Sequence, residues 1–128
     1  MKKILILLCI LGLAGCATLR KTSGNLVSQD TLSAAYPGDA AIMAEMAADE
    51  LVRLYPPAQV PLELVLVDGA FGQALDEVLR AKGFAVGPKR DAVRIAYIVN
   101  PLSDEPGTGF AQVRASTGEV FVFRKALR

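Results

Sequence analysis

The chain has 128 residues, of which 52% are hydrophobic, and its 14 basic and 13 acidic side chains leave a formal net charge of +1. This length suits one small domain, and the balanced charge does not indicate a nucleic-acid-binding protein. Histidine is absent, so the side chain that most often serves as a general base or metal ligand near neutral pH is missing.

The beginning of the chain has the layout of a secretory signal. Two lysines precede an apolar run from Ile4 to Leu13, and small residues then lead into Cys16. A charged start, a short apolar stretch and a small-residue exit are the three parts of such a signal. The run is too short for an ordinary transmembrane helix, which needs about 20 residues.

The ending Leu13-Ala14-Gly15-Cys16 resembles the lipobox of bacterial lipoproteins. The resemblance implies that residues 1–15 are a signal peptide and that Cys16 becomes the acylated first residue of the mature chain, attached to a membrane through its acyl chains. Under the sorting rule of enteric bacteria, Ala17 in place of aspartate favours the periplasmic face of the outer membrane over the inner membrane. The alternative is a plain secretory peptide that contains a cysteine.

Residues 16–38 are small and polar and show no sustained period, which predicts a lipidated flexible tether. The periplasmic domain is then predicted to span residues 39–128. Asp39 is expected to be the N-cap of a helix over 40–55. The helical wheel predicts an inward face and an outer Asp49–Arg53 ion pair; the inward residues are Met43, Met46, Ala47, Leu51 and Leu54.

Glu50 lies on the apolar side of this helix and has two interpretations. It is either a carboxylate with a raised pKa in a pocket or a glutamate at the helix edge that reaches water. The second interpretation is favoured.

The rest of the domain alternates between strand and helix patterns. The apolar, β-branched composition of Leu62–Val67 predicts a buried strand. The helical period of residues 71–82 predicts a helix with an Asp76–Arg80 ion pair, and Gly83 is expected to be its C′ residue. A strand at 84–86 and a meander of three strands follow, at 93–100, 110–115 and 120–125. The order α-β-α-β-β-β-β predicts a small α+β domain with two helices packed on a mixed, mostly antiparallel sheet.

The residues that carry chemistry do not form a catalytic pattern. If Cys9 leaves with the signal and Cys16 is acylated, no thiol remains for a disulfide, a nucleophile or a metal site. Histidine-based triads are excluded, no Ser-x-x-Lys motif frames a Ser–Lys pair, and the glycines form no phosphate-binding loop. We therefore expect no enzymatic activity, no cofactor, no metal and no nucleic-acid partner.

One family resemblance rests on the order of motifs after Ala40. The stretch AIMAEMAADELVRL is followed by an extended run, by FGQAL, by LRAKGFAV, by AYIV and by a closing strand pair that begins near VRAS. This order resembles the conjugal transfer lipoprotein TrbH of mating-pair-formation systems. The pattern A-L-x-x-x-L-R-x-x-G-F-x-V also resembles the small βαβ modules of secretin-type periplasmic domains.

The TrbH resemblance implies a structural role. The chain would be a lipid-anchored accessory protein of a conjugative type IV secretion machine, with an exposed sheet face or edge that docks onto outer-membrane pore subunits. Phe121 and Phe123 are the candidate docking residues if both are exposed. The alternative is an outer-membrane lipoprotein that binds peptidoglycan or a small periplasmic ligand.

Overall fold

The structure, a computed structural model, describes residues 26–128. The predicted signal peptide, Cys16 and the first part of the predicted tether lie outside the described residues. The elements follow in the order β1 (Gln29–Asp30), α1 (Pro37–Leu54), β2 (Leu62–Leu64), α2 (Gly69–Ala81), β3 (Val93–Pro101), β4 (Thr108–Ala115) and β5 (Val120–Ala126).

The five strands form one mixed sheet built around β3. On one side of β3, β2 pairs in parallel with Leu62 opposite Val93, and β1 pairs in parallel with Gln29 opposite Ile98. On the other side, β4 pairs antiparallel with β3 and β5 pairs antiparallel with β4. This arrangement confirms the predicted α+β class with a mostly antiparallel sheet.

Both helices cover the same face of the sheet, so the domain has two layers. Alternate residues of β3 and β4 point into the space between the layers, as the period of two requires. Tyr97 of β3 packs there against Phe71 of α2, with ring centroids 4.6 Å apart. The fully buried side chains of this core include Met43, Leu51, Leu75, Ile95, Val99 and Val113.

The domain begins earlier than predicted. The prediction placed residues up to 38 in the tether, but β1 lies within that range and Leu32 is completely buried in the core. The carboxylate of Asp30 accepts hydrogen bonds from the backbone N–H groups of Leu32 and Ser33, at 3.0 and 2.9 Å. The tether prediction is therefore wrong for about the last ten of its residues, because one strand pair and one buried leucine hold them to the domain.

Helix α1 also begins earlier than predicted, at Pro37. Proline suits the first turn of a helix, because its fixed φ is already helical and its missing N–H would have no partner there. Asp39 is therefore inside the helix and does not act as its N-cap. It instead accepts hydrogen bonds from the C-terminal segment of the chain, which the next subsection describes.

The predicted faces of α1 are partly correct. Met43 and Leu51 are fully buried, whereas Met46 and Leu54 at the border of the face each keep 38% of their surface exposed. The predicted Asp49–Arg53 pair is wrong, because Arg53 pairs with Glu50 at 3.2 Å and Asp49 pairs with Lys82 of α2 at 2.8 Å.

The prediction for α2 is confirmed, although the helix starts two residues earlier than expected. Its Asp76–Arg80 pair forms at 3.0 Å, and Gly83 has the positive φ of +101° expected of a C′ residue. The strand predicted at 84–86 is reduced to a single bridge between Leu62 and Val86. Gly87, at φ +151°, follows that bridge directly.

Candidate functional site

Strand β5 is an edge of the sheet among the described residues, since β4 is the one strand that pairs with it. The carbonyl of Glu119 accepts a hydrogen bond from the N–H of Ala115 at 2.9 Å, and the N–H of Leu127 donates to the carbonyl of Gly107 at 2.8 Å. These backbone groups of Glu119 and Leu127 therefore point toward β4. In an antiparallel strand, successive residues direct their backbone groups to opposite sides. The N–H and C=O groups of the even-numbered residues from Val120 to Arg124 therefore point away from the sheet.

A groove of about 320 Å³ lies between this edge and helix α1. Its apolar walls come from Met46 of α1 and from Phe121 and Phe123 of β5. The two phenyl rings stack with centroids 6.3 Å apart. Glu50 lies at the same groove, partly exposed and paired with Arg53, which agrees with the favoured interpretation of a glutamate at the helix edge.

The structure thus brings Phe121 and Phe123 together, although they do not form a freely exposed patch. Each is half-buried and packs against the core on the helix side of the sheet. The exposed apolar residues of β5 are Val120 and Val122, at 52% and 56% exposure. The role of Phe121 and Phe123 in docking stays a prediction, now as part of the apolar lining of a groove.

The opposite face of the sheet has no layer over it within residues 26–128. Its central row joins Ile98 of β3, Gln112 of β4 and Val122 of β5, and the next row places Arg114 between Ala96 and Val120. We call this surface the outer face. No residue of β3 or β4 on the outer face was predicted from the sequence to be functional, although the alternation of β4 could have indicated this surface.

Two arginines of the outer face each have a buried Nε atom without a hydrogen-bond acceptor within the described residues. The Nε atom of Arg114 is buried and has no hydrogen-bond partner within the described residues. The Nε atom of Arg94 lies 3.6 Å from a carboxylate oxygen of Glu63, which is an ion-pair distance but too long for a hydrogen bond. A buried donor without an acceptor is costly, so these two arginines are the least stabilised polar groups of the outer face.

The C-terminal end of the chain is fixed to the start of α1. The carboxylate of Asp39 accepts hydrogen bonds from Lys125 Nζ at 2.5 Å and from the backbone N–H of Arg128 at 2.9 Å. The hydrogen bond from Arg128 and the bond and charge of Lys125 lower the pKa of Asp39. Lys125 also donates to the carbonyl of Ala126 at 2.9 Å. Because the backbone carbonyl of Ala126 is already bonded, the free backbone groups of the β5 edge end near Arg124.

A second hollow, of about 260 Å³, lies beside the start of α2 and is lined by Asp30, Ser33 and Asp68. The Ser33 hydroxyl donates to Asp30 and accepts a hydrogen bond from the N–H of Phe71 at 3.0 Å. The polar groups of Asp30 and Ser33 are thus used to join the first strand to α2. Neither residue was predicted from the sequence to have a structural role.

Tyr97 crosses the core below this hollow, and its hydroxyl donates to the carbonyl of Leu66 at 2.9 Å. Burial raises the pKa of its phenol above the usual range, and the charges of Asp30 and Asp68 add to the effect. Tyr97 is therefore a neutral core residue near neutral pH. No group of three or more potential metal ligands occurs in the part of the chain that the structure describes.

Within residues 26–128, no helix has both the length and the apolar character needed to cross a membrane. The fold and its surfaces define a small two-layer α+β domain in which residues 26–128 leave one sheet edge open and one sheet face uncovered. Such features are typical of a protein that binds other proteins.

Comparison with known proteins gives the family. The family model of the conjugal transfer protein TrbH matches residues 20–122, so the chain belongs to the TrbH family and is a component of conjugal transfer. This family is not a known enzyme family. No curated protein and no solved structure matches the chain.

Proposed function

We propose that the protein is a lipid-anchored accessory component of a conjugative type IV secretion complex. Acyl chains on Cys16 hold it at the periplasmic face of the outer membrane, and its domain docks onto a pore subunit. The anchor is supported by the resemblance of residues 13–16 to a lipobox, and the conjugal role by membership of the TrbH family.

The docking mode follows from β5, and the free edge of this strand is the observation that carries the proposal. An extended segment of the pore subunit adds to the sheet by bonding to the outward backbone groups of Val120, Val122 and Arg124. Every second side chain of that segment then enters the groove and packs on Met46, Phe121 and Phe123. The backbone bonds supply affinity, and the groove selects apolar residues at alternate positions.

The test of this mode is the substitution Val122→Pro. Proline removes the outward N–H of Val122, while the bonds between β4 and β5 use the odd-numbered residues and stay intact. Val122→Thr is the matched control, because threonine keeps the N–H and the β-branched shape. We expect Val122→Pro to lower transfer frequency from donor cells and recovery of the pore subunit with the tagged protein, and Val122→Thr to leave both near the parental level.

A second variant addresses the groove without touching the backbone. Met46→Glu introduces a charge at a partly exposed position of α1 and should lower recovery of the pore subunit while the domain stays folded. If Val122→Pro and Met46→Glu both leave transfer and recovery unchanged, the proposed docking mode is wrong.

The anchor is tested separately by Cys16→Ser. This substitution removes the thiol that would carry the acyl chain, so it should abolish labelling by a fatty-acid analogue and release the protein from the membrane fraction. Membrane fractionation that does not change in Cys16→Ser would contradict anchoring through this residue.

A further inference from the structure

The two layers of the domain expose complementary surfaces on opposite sides of the molecule. On the sheet side is the outer face, with apolar Ile98, Val120 and Val122 around Arg114, whose Nε atom has no hydrogen-bond partner within the described residues. On the helix side, α1 presents a stripe formed by Ile42, Glu45 and Asp49, which are spaced three and four residues apart and are exposed. Residues at this spacing share one face of a helix.

The stripe on α1 is more apolar than the solvent side of a surface helix needs to be. Ile42 keeps 47% of its surface exposed, and the partly exposed Met46 borders it. Amphipathic helices of small domains carry charged or polar residues on that side. An exposed apolar pair flanked by carboxylates is therefore a candidate contact surface.

The charges that remain after internal pairing are opposite on the two surfaces. Within residues 26–128, Arg53 pairs with Glu50, Lys82 with Asp49, Arg94 with Glu63 and Arg124 with Glu105, all at 4 Å or less. Arg114 on the outer face and Glu45 on the stripe have no ion-pair partner among these residues. Each surface thus offers one unpaired charge among apolar side chains.

We infer that α1 of one copy packs on the outer face of a second copy, with Glu45 near Arg114. Helix-on-sheet packing is already the way this domain builds its own core, and here it covers the face that residues 26–128 leave open. The carboxylate of Glu45 supplies an acceptor for the half-buried Arg114, whose Nε atom has none within the described residues, and Ile42 covers the row formed by Ile98, Gln112 and Val122.

The position of the two surfaces sets the type of assembly. Because they lie on opposite sides of the domain, a copy that uses its stripe still has its outer face free. Such a heterologous contact propagates and gives a closed ring if the rotation closes, or an open array if it does not. It differs from a two-fold dimer, in which the same surface meets itself.

Cysteine crosslinking of the full chain in cells distinguishes these arrangements. The native cysteines, Cys9 and Cys16, lie outside the described domain, so the parental chain is the blank. Ile42→Cys and Gln112→Cys place one thiol on the stripe and one at the centre of the outer face. With a short bismaleimide, the double variant should give a ladder at multiples of the chain mass, whereas either single variant alone should give none.

Co-expression of the two single variants should give a dimer band and no higher band, because each chain then carries only one of the two thiols. Arg114→Glu should lower the crosslinked fraction of the double variant about tenfold, since it places two like charges in contact. Adding Glu45→Arg to that chain reverses the second charge and should restore the ladder.

Several results would overturn the inference. A dimer from Gln112→Cys alone indicates symmetric sheet-to-sheet pairing, and a double variant that is present, folded and gives no ladder shows that the contact does not exist. If the ladder is absent and Arg114→Glu instead weakens binding to vesicles of anionic phospholipid, the outer face binds the membrane. Circular dichroism of each purified variant shows whether a lost ladder reflects unfolding.

Discussion

Replacing Leu32 by alanine tests whether the segment before α1 is part of the folded domain. Leu32 is fully buried, and its Cδ1 atom lies so close to Gly109 of β4 that even a β-carbon there would overlap it. Buried Leu→Ala substitutions cost about 2–5 kcal/mol, and the cost falls where the surroundings can close the cavity. A short surface segment covers Leu32 and can settle inward, so we expect a loss of about 2–3 kcal/mol.

Urea denaturation followed by circular dichroism measures this loss. With m-values of about 1–3 kcal/mol/M for small domains, the unfolding midpoint should fall by roughly 0.7–3 M. Val27→Ala is the matched control, because Val27 belongs to the same segment but keeps 60% of its surface exposed; we expect its effect to stay within about 0.5 kcal/mol. If Leu32→Ala also changes the unfolding free energy by less than about 0.5 kcal/mol, the segment does not belong to the cooperative unit.

Two further predictions concern packing and pH. Gly72→Ala puts a β-carbon 2.9 Å from the Val67 carbonyl oxygen and should lower the unfolding free energy by about 1–3 kcal/mol. The control is Gly38→Ala, whose β-carbon meets nothing within 4 Å and which should be neutral or stabilising. If the two variants unfold at the same urea concentration, the close approach at Gly72 is contradicted. Because folding lowers the pKa of Asp39, its contribution to stability is present at neutral pH and is lost as the pH falls below about 4. Asp39→Asn should therefore narrow the difference between the urea midpoints at neutral and acidic pH, and an unchanged difference would refute this role.

The elements predicted correctly from the sequence are those whose signals are local. Helix α2 combines a helical period, an i,i+4 ion pair and a terminal glycine within about fifteen residues. The hairpin of β4 and β5 surrounds Gly118, whose φ of +103° suits the turn. These signals do not depend on distant parts of the chain, so the period of each segment was enough to identify them.

The elements predicted incorrectly depend on distant contacts. Strand β1 has two residues and no readable period, and its position is set by pairing with Ile98 and Val99, about 69 residues away. Asp39 looks like an N-cap in its local sequence, but its partners Lys125 and Arg128 lie 86 and 89 residues further along the chain. The residues of a single segment carry no signal of such distant contacts.

The candidate site was predictable only in part, and the reason is the composition of β5. Both of its faces are apolar, so a period of two cannot tell which face meets the helices. The register with β4, which places Phe121 opposite Val113 and Val122 opposite Gln112, decides the question. Phe121 and Phe123 therefore face α1, and the exposed valines belong to the outer face, which the sequence did not single out.

The same register separates the two proposed contacts. The docking strand uses the backbone edge of β5 and the groove on its helix side. Self-association uses the outer face around Gln112 and Arg114 of one copy and the α1 stripe of another, which Met46 of the groove borders. Val122→Pro removes an edge N–H but also changes a side chain in the central row of the outer face, and Arg114→Glu reverses a charge directly opposite Val120 of that edge. Each variant is therefore assayed both for the crosslinked ladder and for recovery of the pore subunit. A chain that keeps its ladder but loses the pore subunit, or the reverse, would show that the domain uses its two open surfaces for different partners.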